Sequence, residues 1–362
     1  MKILYPDKGI SFQKYGGISR YFCEIIKRIS DNEAEEIDIA AIFFDNYYFC
    51  DWYNKNGLKH YKPFGKLGKL INRLYSVELY LKKQHDVVHH THYNIFPEYF
   101  FGRCKHVITI HDMIPELGYL DDKKTVREKK KYIYKADYII AVSENTKKDI
   151  LSIYPDIQES KISVIYHGTS IQSEIECDLN LPLRYILYVG QRGGYKNFKR
   201  LLYAFSKIDD KNIMLVCFGG GKYTQEELKI ISELSIDKRV KLISGSDKEL
   251  VKAYHDAQCF VYPSLYEGFG IPILEAWKCK CPVVLSNASC FPEIAGDAGI
   301  YFDPYSESSI CNTINNVLKD DTKKREIIQL GFERLKMFSW DEAAQKTADI
   351  YHKIINDNNY YK

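Results

Sequence analysis

Short runs of β-branched and aromatic residues alternate with helical patterns from one end of this chain to the other. This alternation is typical of α/β proteins, in which helices join parallel strands and cover both faces of the sheet. The first six runs lie near residues 2–5, 37–43, 86–90, 106–110, 138–142 and 162–166. Six more lie near 185–189, 213–218, 240–243, 259–262, 282–286 and 299–302. The pattern therefore predicts an α/β fold with two doubly wound parallel sheets.

A polar segment without periodicity, residues 167–183, separates the two series and has the composition of a linker. The chain has 362 residues, which is too long for one ordinary hydrophobic core. We therefore predict one domain over residues 1–170 and a second over 184–340. Ligands of such folds bind outside the carboxyl ends of the strands, so the functional residues should follow strands directly.

Composition argues against several classes of protein. The net charge is +3, from 51 basic and 48 acidic residues, which gives no global sign of nucleic-acid binding. No apolar run approaches the roughly 20 residues of a membrane span, and the N-terminal segment lacks the apolar centre of a signal peptide. The ten cysteines contain no Cys-x-x-Cys pair, which favours free thiols in a reducing compartment. A cytoplasmic protein is expected.

The most informative stretch is PSLYEGFGIPILE, residues 263–275, which leads from an apolar run through two glycines into an amphipathic helix. Backbone N–H groups and the dipole at a helix start favour an anion such as phosphate. Because carboxylates would repel a phosphate, Glu267 and Glu275 are expected to accept hydrogen bonds from hydroxyls on either side of it. A ligand with hydroxyls flanking phosphates is a sugar nucleotide.

Three further glycine loops follow predicted strands, and one of them, in FGGGKY (residues 218–223), has a role that the sequence leaves open. The loop in YVGQRGGYKNF, residues 188–198, carries Arg192 and Lys196, whose charge suits a diphosphate and a departing nucleotide. The alternative is an ordinary solvated surface. The loop in YGGISRY, residues 15–21, offers Gly17 for close backbone approach to a ligand, although an ordinary loop fits equally well. It is not the Gly-x-Gly-x-x-Gly fingerprint, which counts against a nicotinamide enzyme.

Histidines also follow predicted strands. His111, in TIHDMIPE, emerges from an apolar strand and could orient or polarise a reacting group, or be satisfied by local backbone. His89, His90 and His92 lie together, but no nearby carboxylate pattern completes a metal site. The chain has no Asp-x-Asp, the pair with which many transferases hold a sugar nucleotide through a metal. A metal-independent site is therefore predicted, with cations and helix starts in the metal's place.

The chain resembles the retaining glycosyltransferases of family 4, which have the GT-B fold. The motifs that carry the resemblance span nearly the whole chain: GGISRY, TIHDMIPE, AVSENTKKDIL, VIYHG, YVGQRGGYKN, the Glu267-to-Glu275 element and FSWDEAA. It implies two Rossmann-like domains facing across a cleft, with residues 1–170 on the acceptor side and 184–340 binding the nucleotide sugar. It also implies that a C-terminal helix, within residues 341–362, packs back on the first domain.

The resemblance also implies roles for individual residues. Glu275 would bind the ribose hydroxyls of the nucleotide, and Glu267 would contact the donor sugar. The backbone amides assisting Glu267 would be those of Gly268, Phe269, Gly270 and Ile271. The nucleotide base is expected near Ser244 and Ser246, in the loop after the strand at 240–243.

The same resemblance assigns Arg192 and Lys196 to the diphosphate and brings Gly17 towards it from the first domain. His111 would lie near the anomeric carbon. The chain departs from the family at Tyr195, where many members have an arginine directly before the lysine. The assignment of Arg192 is therefore less secure than that of Lys196.

The activity expected from the resemblance is transfer of a hexose from a nucleotide-diphosphate sugar to a glycan or lipid-linked saccharide, in capsule or O-antigen synthesis. Family members retain the anomeric configuration, which implies front-face attack through an oxocarbenium-like state. The GGISRY and RGGYKN motifs resemble those of mannosyltransferases, which favours GDP-mannose, and no cofactor is expected. The alternatives are a UDP-sugar donor (glucose, galactose or GlcNAc), a sugar-nucleotide epimerase and a catalytically silent sugar-nucleotide-binding protein.

Two stretches rich in lysine and arginine lie in the first half of the chain. The first contains Lys59, Lys62, Lys66, Lys69, Arg73, Lys82 and Lys83, interleaved with Leu67, Leu70, Ile71, Leu74 and Tyr75. The second contains Lys123, Lys124, Arg127, Lys129, Lys130, Lys131 and Lys135. A basic amphipathic surface suits peripheral contact with an anionic membrane, here at its inner face. The alternative is a pair of solvated helix faces, each over an ordinary buried apolar stripe.

Overall fold

The computed structural model describes residues 1–11, 14–32, 34–63, 65–82, 84–93, 104–173 and 177–356. Lys83 of the first basic stretch, part of the predicted linker and the last six residues of the predicted C-terminal segment lie outside these ranges. The chain forms two compact units. Unit 1 comprises Met1–Glu116, Asp121–His167 and Ser339–Lys362, and unit 2 comprises Leu117–Leu120 and Gly168–Phe338.

Within the described residues, unit 1 contains a six-stranded parallel sheet in the order β2-β1-β3-β4-β5-β6. Its strands are β1 (Lys2–Pro6), β2 (Glu36–Ala40), β3 (Val87–His90), β4 (Lys105–Ile110), β5 (Tyr138–Ala141) and β6 (Ile162–Val164). Its helices are α1 (Lys8–Ser11), α2 (Gly17–Ser30), α3 (Tyr47–Lys55), α4 (Gly65–Lys82), α5 (Lys123–Lys135), α6 (Glu144–Ile153) and the C-terminal α14 (Trp340–Asn356). Helix α14 packs against α2.

Unit 2 contains a second six-stranded parallel sheet in its described part, in the order β12-β11-β10-β7-β8-β9. The strands are β7 (Tyr185–Val189), β8 (Met214–Phe218), β9 (Val240–Ile243), β10 (Cys259–Tyr262), β11 (Val283–Ser286) and β12 (Ile300–Phe302). The helices are α7 (Phe198–Ser206), α8 (Gln225–Glu233), α9 (Asp247–His255), α10 (Ile271–Lys278), α11 (Phe291–Ala295), α12 (Glu307–Lys319) and α13 (Asp321–Leu335).

The central strands are buried along their length, as expected when helices cover both faces of a parallel sheet. All six residues of β4 and all four residues of β10 are buried. Helix starts are fixed by side-chain caps, such as Ser143 before α6 and the capping box of Thr224 with Glu227 at α8. The predicted fold class, two doubly wound parallel α/β domains, is confirmed.

Strand order identifies the place where a ligand is expected in each sheet. In unit 2 the chain builds outward from β7 through β8 to β9, and then returns to place β10 on the other side of β7. In unit 1 the corresponding reversal lies between β1 and β3. Open α/β sheets bind ligands outside the carboxyl ends of the strands at such a reversal.

Two helices were not predicted, the single-turn α1 and the longer α3. The aromatic run after β2 suggested a strand continuing to residue 43, whereas β2 ends at Ala40 and α3 begins at Tyr47. The side chain of Asn46 caps this helix by accepting hydrogen bonds from the N–H groups of Tyr48 and Phe49. Phe49 and Tyr53, one helical turn apart, are its buried residues. In the part of the chain that the structure describes, no helix has the length and hydropathy needed to cross a bilayer.

Candidate functional site

The centre of the site in unit 2 is an ion pair between the loops that follow β7 and β10. Lys196 closes the 3₁₀ turn Gly194–Lys196 after β7, and its Nζ lies 2.6 Å from Oε1 of Glu267, in the loop after β10. The side chains of Lys196 and Glu267 are 19% and 11% exposed. The Lys196 ammonium also lies over the ring of Tyr262, 5.9 Å from its centre. A cation and a carboxylate therefore meet at the strand reversal of the sheet.

The loop after β10 delivers the N-terminus of α10 to the same edge of the sheet. Gly270 precedes the helix in the left-handed conformation (φ 95°), which a residue with a side chain adopts only with strain. A Cβ there would also come within 3.2 Å of Ile273 Cδ1 and 3.3 Å of Phe291 Cε1. The N–H of Glu267 donates to Ser289 Oγ over 3.0 Å. These contacts fix the loop that contains Gly268, Phe269, Gly270 and Ile271.

Glu275 lies further along α10, on a buried part of the helix. Its Oε2 accepts a hydrogen bond of 3.3 Å from the hydroxyl of Tyr254, at the end of α9. Burial raises the pKa of Tyr254 well above its usual value, so this phenol stays protonated and remains a donor. At about 1.5 Å per residue, Glu275 lies roughly 6 Å along the axis from Ile271. Glu267 thus precedes the N-terminus of α10 and Glu275 lies about one turn after it, as the spacing indicated.

Asn197 is a site residue that sequence reasoning missed. It adopts the left-handed conformation (φ 58°) between the 3₁₀ turn and α7. Its Nδ2 donates to the carbonyls of Pro263 (3.0 Å) and Pro304 (2.8 Å). These bonds fasten the turn that carries Lys196 to the loop that carries Glu267. The signal was an asparagine directly before a helix, because asparagine is among the few non-glycine residues that tolerate this conformation.

Replacing Asn197 with aspartate is expected to lower the free energy of unfolding by about 1–3 kcal/mol, because a carboxylate cannot donate to the two carbonyl oxygens. The guanidinium of Arg200, which donates to Asn197 Oδ1 (2.6 Å), would compensate part of the new charge. Asn197→Gly, which accepts the same backbone conformation, should cost about 1–2 kcal/mol through the lost hydrogen bonds. Urea denaturation of both variants measures the difference. An aspartate variant as stable as the wild type would contradict the bridging role.

Arg192 has a different environment from Lys196. Its Nε donates to Glu227 Oε1 (3.1 Å), and its terminal nitrogens donate to the carbonyls of Gly219 (2.9 Å), Gly221 (2.8 Å) and Lys222 (2.9 Å). The side chain is 3% exposed. Because all three guanidinium nitrogens are bonded to protein groups, the structure places Arg192 within the framework of the glycine loop after β8. Sequence reasoning assigned both Arg192 and Lys196 to the diphosphate, with Arg192 as the less secure of the two.

The two serines predicted near the base follow β9, two strands away from β7 in the sheet. Ser246 is the N-cap of α9 and forms a capping box with Glu249. Its hydroxyl donates to Glu249 Oε2 over 2.5 Å. Ser244 is exposed. Contact of either residue with a nucleotide base stays a prediction.

In unit 1, Gly17 and His111 lie at a helix start and a strand end. Gly17 is the first residue of α2, and a Cβ added to it would meet no atom within 4 Å. His111 directly follows β4, and its ring stands edge-on to Tyr21 at 5.0 Å. Its Nε2 is buried without a hydrogen-bond partner among the described residues. Burial lowers the pKa of His111 to about 4, so the imidazole is neutral at pH 7.

His89 belongs to a buried hydrogen-bond chain that joins the sheet of unit 1 to α14. Its Nδ1 meets the Tyr351 hydroxyl, and its Nε2 lies 2.8 Å from Thr109 Oγ1. Thr109 in turn bonds the hydroxyl of Tyr21 (3.0 Å), and Tyr351 bonds that of Tyr5 (2.9 Å). These contacts give His89 a structural role. Across the described ranges, no group of three or more potential side-chain ligands could hold a metal ion.

Acidification is expected to destabilise unit 1. Burial lowers the pKa to about 3 for His89 and to about 4 for His92 and His111, and well below the usual value for His90 and His167. Between pH 6.5 and 4 the unfolded chain therefore binds protons that the folded chain does not. The free energy of unfolding should decrease as the pH is lowered through this range. Burial raises the pKa of Asp7 to about 6, so this carboxyl binds a proton in the folded chain over the same pH range. It therefore opposes the destabilisation, but as one group against five histidines. Urea unfolding at pH 7, 6 and 5 tests it, and a constant free energy would refute it.

Comparisons with known proteins match both halves of the chain. Residues 15–173 match the family described as Glycosyltransferase Family 4, and residues 176–334 match Glycosyl transferases group 1. The O-antigen chain mannosyltransferase B of Escherichia coli is 28% identical over an alignment that covers 97% of this chain and 99% of that protein.

Two solved structures share the fold across nearly their whole length. Sucrose-phosphate synthase from Thermosynechococcus elongatus has a TM-score of 0.75 at 18% identity, covering 98% of each chain. Anabaena HepE, solved in complex with UDP and glucose, has a TM-score of 0.75 at 19% identity, covering 97% of this chain and 99% of that one. With both halves matched in order, the chain belongs to the GT-B glycosyltransferases, with a family 4 domain followed by a group 1 domain.

Proposed function

We propose that this enzyme transfers mannose from GDP-mannose to a growing surface glycan, such as an O-antigen or capsule, and retains the anomeric configuration. The observation that carries the proposal is the Lys196–Glu267 pair at the strand reversal of unit 2, in front of the N-terminus of α10. The choice of mannose is supported by the O-antigen chain mannosyltransferase that aligns with this chain over nearly its full length.

Donor binding is proposed to exchange the partners of the ion pair. A diphosphate beside Lys196 attracts the ammonium, while the start of α10 adds the positive end of its dipole. Glu267, released from the lysine, then accepts hydrogen bonds from hydroxyls of the sugar. Glu275 accepts hydrogen bonds from the two ribose hydroxyls, and the Tyr254 hydroxyl holds its carboxylate in place.

The chemical step follows from this charge arrangement. The bond between the anomeric carbon and the β-phosphate oxygen breaks, and negative charge develops on the departing diphosphate. The Lys196 ammonium and the helix start stabilise that charge in a partly desolvated site, so a metal ion is not required in this proposal. The acceptor hydroxyl attacks from the same face and gives its proton to the leaving phosphate oxygen. Family resemblance adds Gly17, approaching the diphosphate, and neutral His111, hydrogen-bonding near the anomeric carbon.

The reaction is proposed to take place in the cytoplasm. All ten cysteines are free thiols, and seven of them are buried. Free thiols persist in reducing compartments, whereas secreted proteins commonly pair them. The acceptor is proposed to be a glycan or a lipid-linked saccharide, since the enzymes that build surface polysaccharides extend such chains.

A donor panel followed by a transfer assay tests the proposal. GDP-mannose and GDP should raise the melting temperature of the protein more than UDP, UDP-glucose or UDP-GlcNAc do at equal concentration. With an acceptor glycan present, the new linkage formed from the α-linked donor should be α, as read from the one-bond C1–H1 coupling. If only uridine nucleotides stabilised the protein, the donor would be a UDP-sugar and not GDP-mannose. A β-linked product would exclude retention of the anomeric configuration. Binding without donor hydrolysis or transfer would indicate a silent sugar-nucleotide-binding protein.

A further inference from the structure

Four motifs of the sequence meet at the side chain of His111, inside unit 1. TIHDMIPE contains His111 itself, GGISRY contributes Tyr21, VIYHG contributes His167 and FSWDEAA contributes Trp340. Tyr21 lies on α2, His167 follows β6, and Trp340 is the first residue of α14. The proposed function uses His111 and leaves the other three rings without a role.

Three buried rings surround the His111 imidazole. The ring of Tyr21 stands at 82° to that of His111, with 5.0 Å between their centres, and at 82° to that of His167, at 4.9 Å. The two imidazoles are therefore nearly parallel, at 17°, with their centres 6.0 Å apart. Trp340 packs against His167 at 5.3 Å and against Tyr21 at 6.0 Å. We call Tyr21, His167 and Trp340 the aromatic frame.

The aromatic frame is uncharged and is anchored to the strand that carries His111. The Tyr21 hydroxyl bonds Oγ1 of Thr109 (3.0 Å), which lies on β4 two residues before His111. Burial raises the pKa of Tyr21 to about 12, so the phenol stays protonated. Burial also lowers the pKa of His167 well below its usual value, so this second imidazole is neutral at pH 7 and does not repel His111.

The aromatic frame buries polar atoms that a purely structural core would avoid. Among the described residues, His111 Nε2 and Trp340 Nε1 are both buried without a hydrogen-bond partner. Each costs free energy that an apolar side chain in the same place would not. Because no hydrogen bond at Nε2 sets the orientation of the His111 ring, its edge-on contacts are left to restrict rotation about χ2. A neutral imidazole has one donor and one acceptor nitrogen, and a half-turn would exchange their positions.

We propose that Tyr21 is a positioning residue of the transfer reaction, and that it holds the His111 imidazole in one orientation with His167 and Trp340 packed behind it. The aromatic frame acts through His111 and does not itself touch the substrate. This inference rests on the proposed function, which assigns His111 to the neighbourhood of the anomeric carbon. It gives three motifs that are far apart in the sequence one common purpose.

A double-mutant cycle on kcat tests the proposal, with transfer from GDP-mannose as the assay. Tyr21→Leu should lower kcat about tenfold and leave KM for the donor within about twofold, because misplacing a group at the reacting centre slows the chemical step more than it weakens binding. His111→Ala should lower kcat about 100-fold. Adding Tyr21→Leu to His111→Ala should lower kcat no further, because the side chain that the aromatic frame positions is already absent.

Three further variants separate positioning from folding. Tyr21→Phe keeps the ring and loses the hydroxyl bond to Thr109, so it should lower the melting temperature but keep kcat within about threefold of the wild type. Tyr53 is a buried tyrosine of α3 that packs edge-on against Phe44 at 4.9 Å. Tyr53→Leu should also lower the melting temperature, with kcat unchanged. His167→Leu repeats the cycle from the other side of the aromatic frame, so the test does not depend on one variant folding.

The outcomes of the cycle distinguish this inference from the proposed function. If Tyr21→Leu lowered kcat by the same factor with and without His111, its role would be merely structural and the inference would be wrong. If His111→Ala kept the wild-type kcat, the assignment of His111 in the proposed function would fail, and the aromatic frame would have no reaction to serve. A tenfold loss that disappears in the His111→Ala background supports both.

Discussion

Replacing Lys196 with alanine is expected to lower kcat/KM for sugar transfer about 10²- to 10³-fold, the typical cost of removing one donor that stabilises developing negative charge. The loss should fall mainly on kcat, because the charge on the diphosphate grows as the glycosidic bond breaks. The fold should be retained, since Lys196 is partly exposed and its pair with Glu267 lies at the edge of the sheet. Steady-state kinetics of transfer from GDP-mannose measure the effect.

Lys199 provides the matched control for this experiment. It lies three residues further along, on α7, where its exposed side chain pairs with Glu226. Lys199→Ala should leave kcat/KM within about twofold of the wild type, because surface pairs contribute little. If Lys196→Ala turned over like Lys199→Ala, the assignment of Lys196 to the departing diphosphate would be wrong.

Arg192→Ala is expected to act on stability, lowering the free energy of unfolding by about 3–5 kcal/mol, because it leaves the buried Glu227 carboxylate without its partner. The carbonyls of the glycine loop after β8 lose their donors at the same time. That loop depends on the arginine for its shape: Gly219, Gly220 and Gly221 all have positive φ (77°, 71° and 74°). Urea denaturation, monitored by circular dichroism, gives the change.

A second substitution distinguishes a structural arginine from one that binds phosphate. Adding Glu227→Gln to Arg192→Ala removes the unpaired charge and should restore roughly half of the lost stability, because the carbonyls stay unsatisfied. An Arg192→Ala protein with wild-type stability and strongly weakened GDP binding would contradict the structural role. That result would instead assign Arg192 to binding of the diphosphate, as the family resemblance implies.

Sequence alone was sufficient for the architecture, because the strands of a buried parallel sheet appear as separate apolar runs. Each of the twelve strands begins within one residue of its predicted position, and β7, β9 and β10 match at both ends. Helix α3 was missed because aromatic residues dominate its sequence and its start depends on the capping geometry of Asn46. Local periodicity therefore predicted the elements that are long or buried, and failed where one side chain determines a helix start.

The site was only partly predictable, because chemical type can be read from sequence but side-chain partners cannot. Glu267, Glu275 and Lys196 were predicted from their spacing and from their position after a strand, and their roles in donor binding stay predictions. That Arg192 lies under a glycine loop 27 to 30 residues further along depends on contacts that no local pattern encodes. The same holds for Asn197, whose partners are Pro263 and Pro304. From the sequence, the leucines of α4 fitted a membrane-facing surface and a buried stripe equally well, and the exposure of Leu67, Leu70 and Leu74 shows that they do not face the core.

The most direct test of the donor site is calorimetric titration of GDP-mannose into the wild type and into Glu275→Gln. The substitution keeps the size of the side chain and an acceptor for the Tyr254 hydroxyl, while it removes the charge that would hold the ribose hydroxyls. Loss of charge-assisted hydrogen bonds of about 1.5–3 kcal/mol predicts a Kd raised roughly 10- to 100-fold, with an unchanged melting temperature. An unchanged Kd would show that the nucleotide does not bind at α10 and would contradict the account of the site.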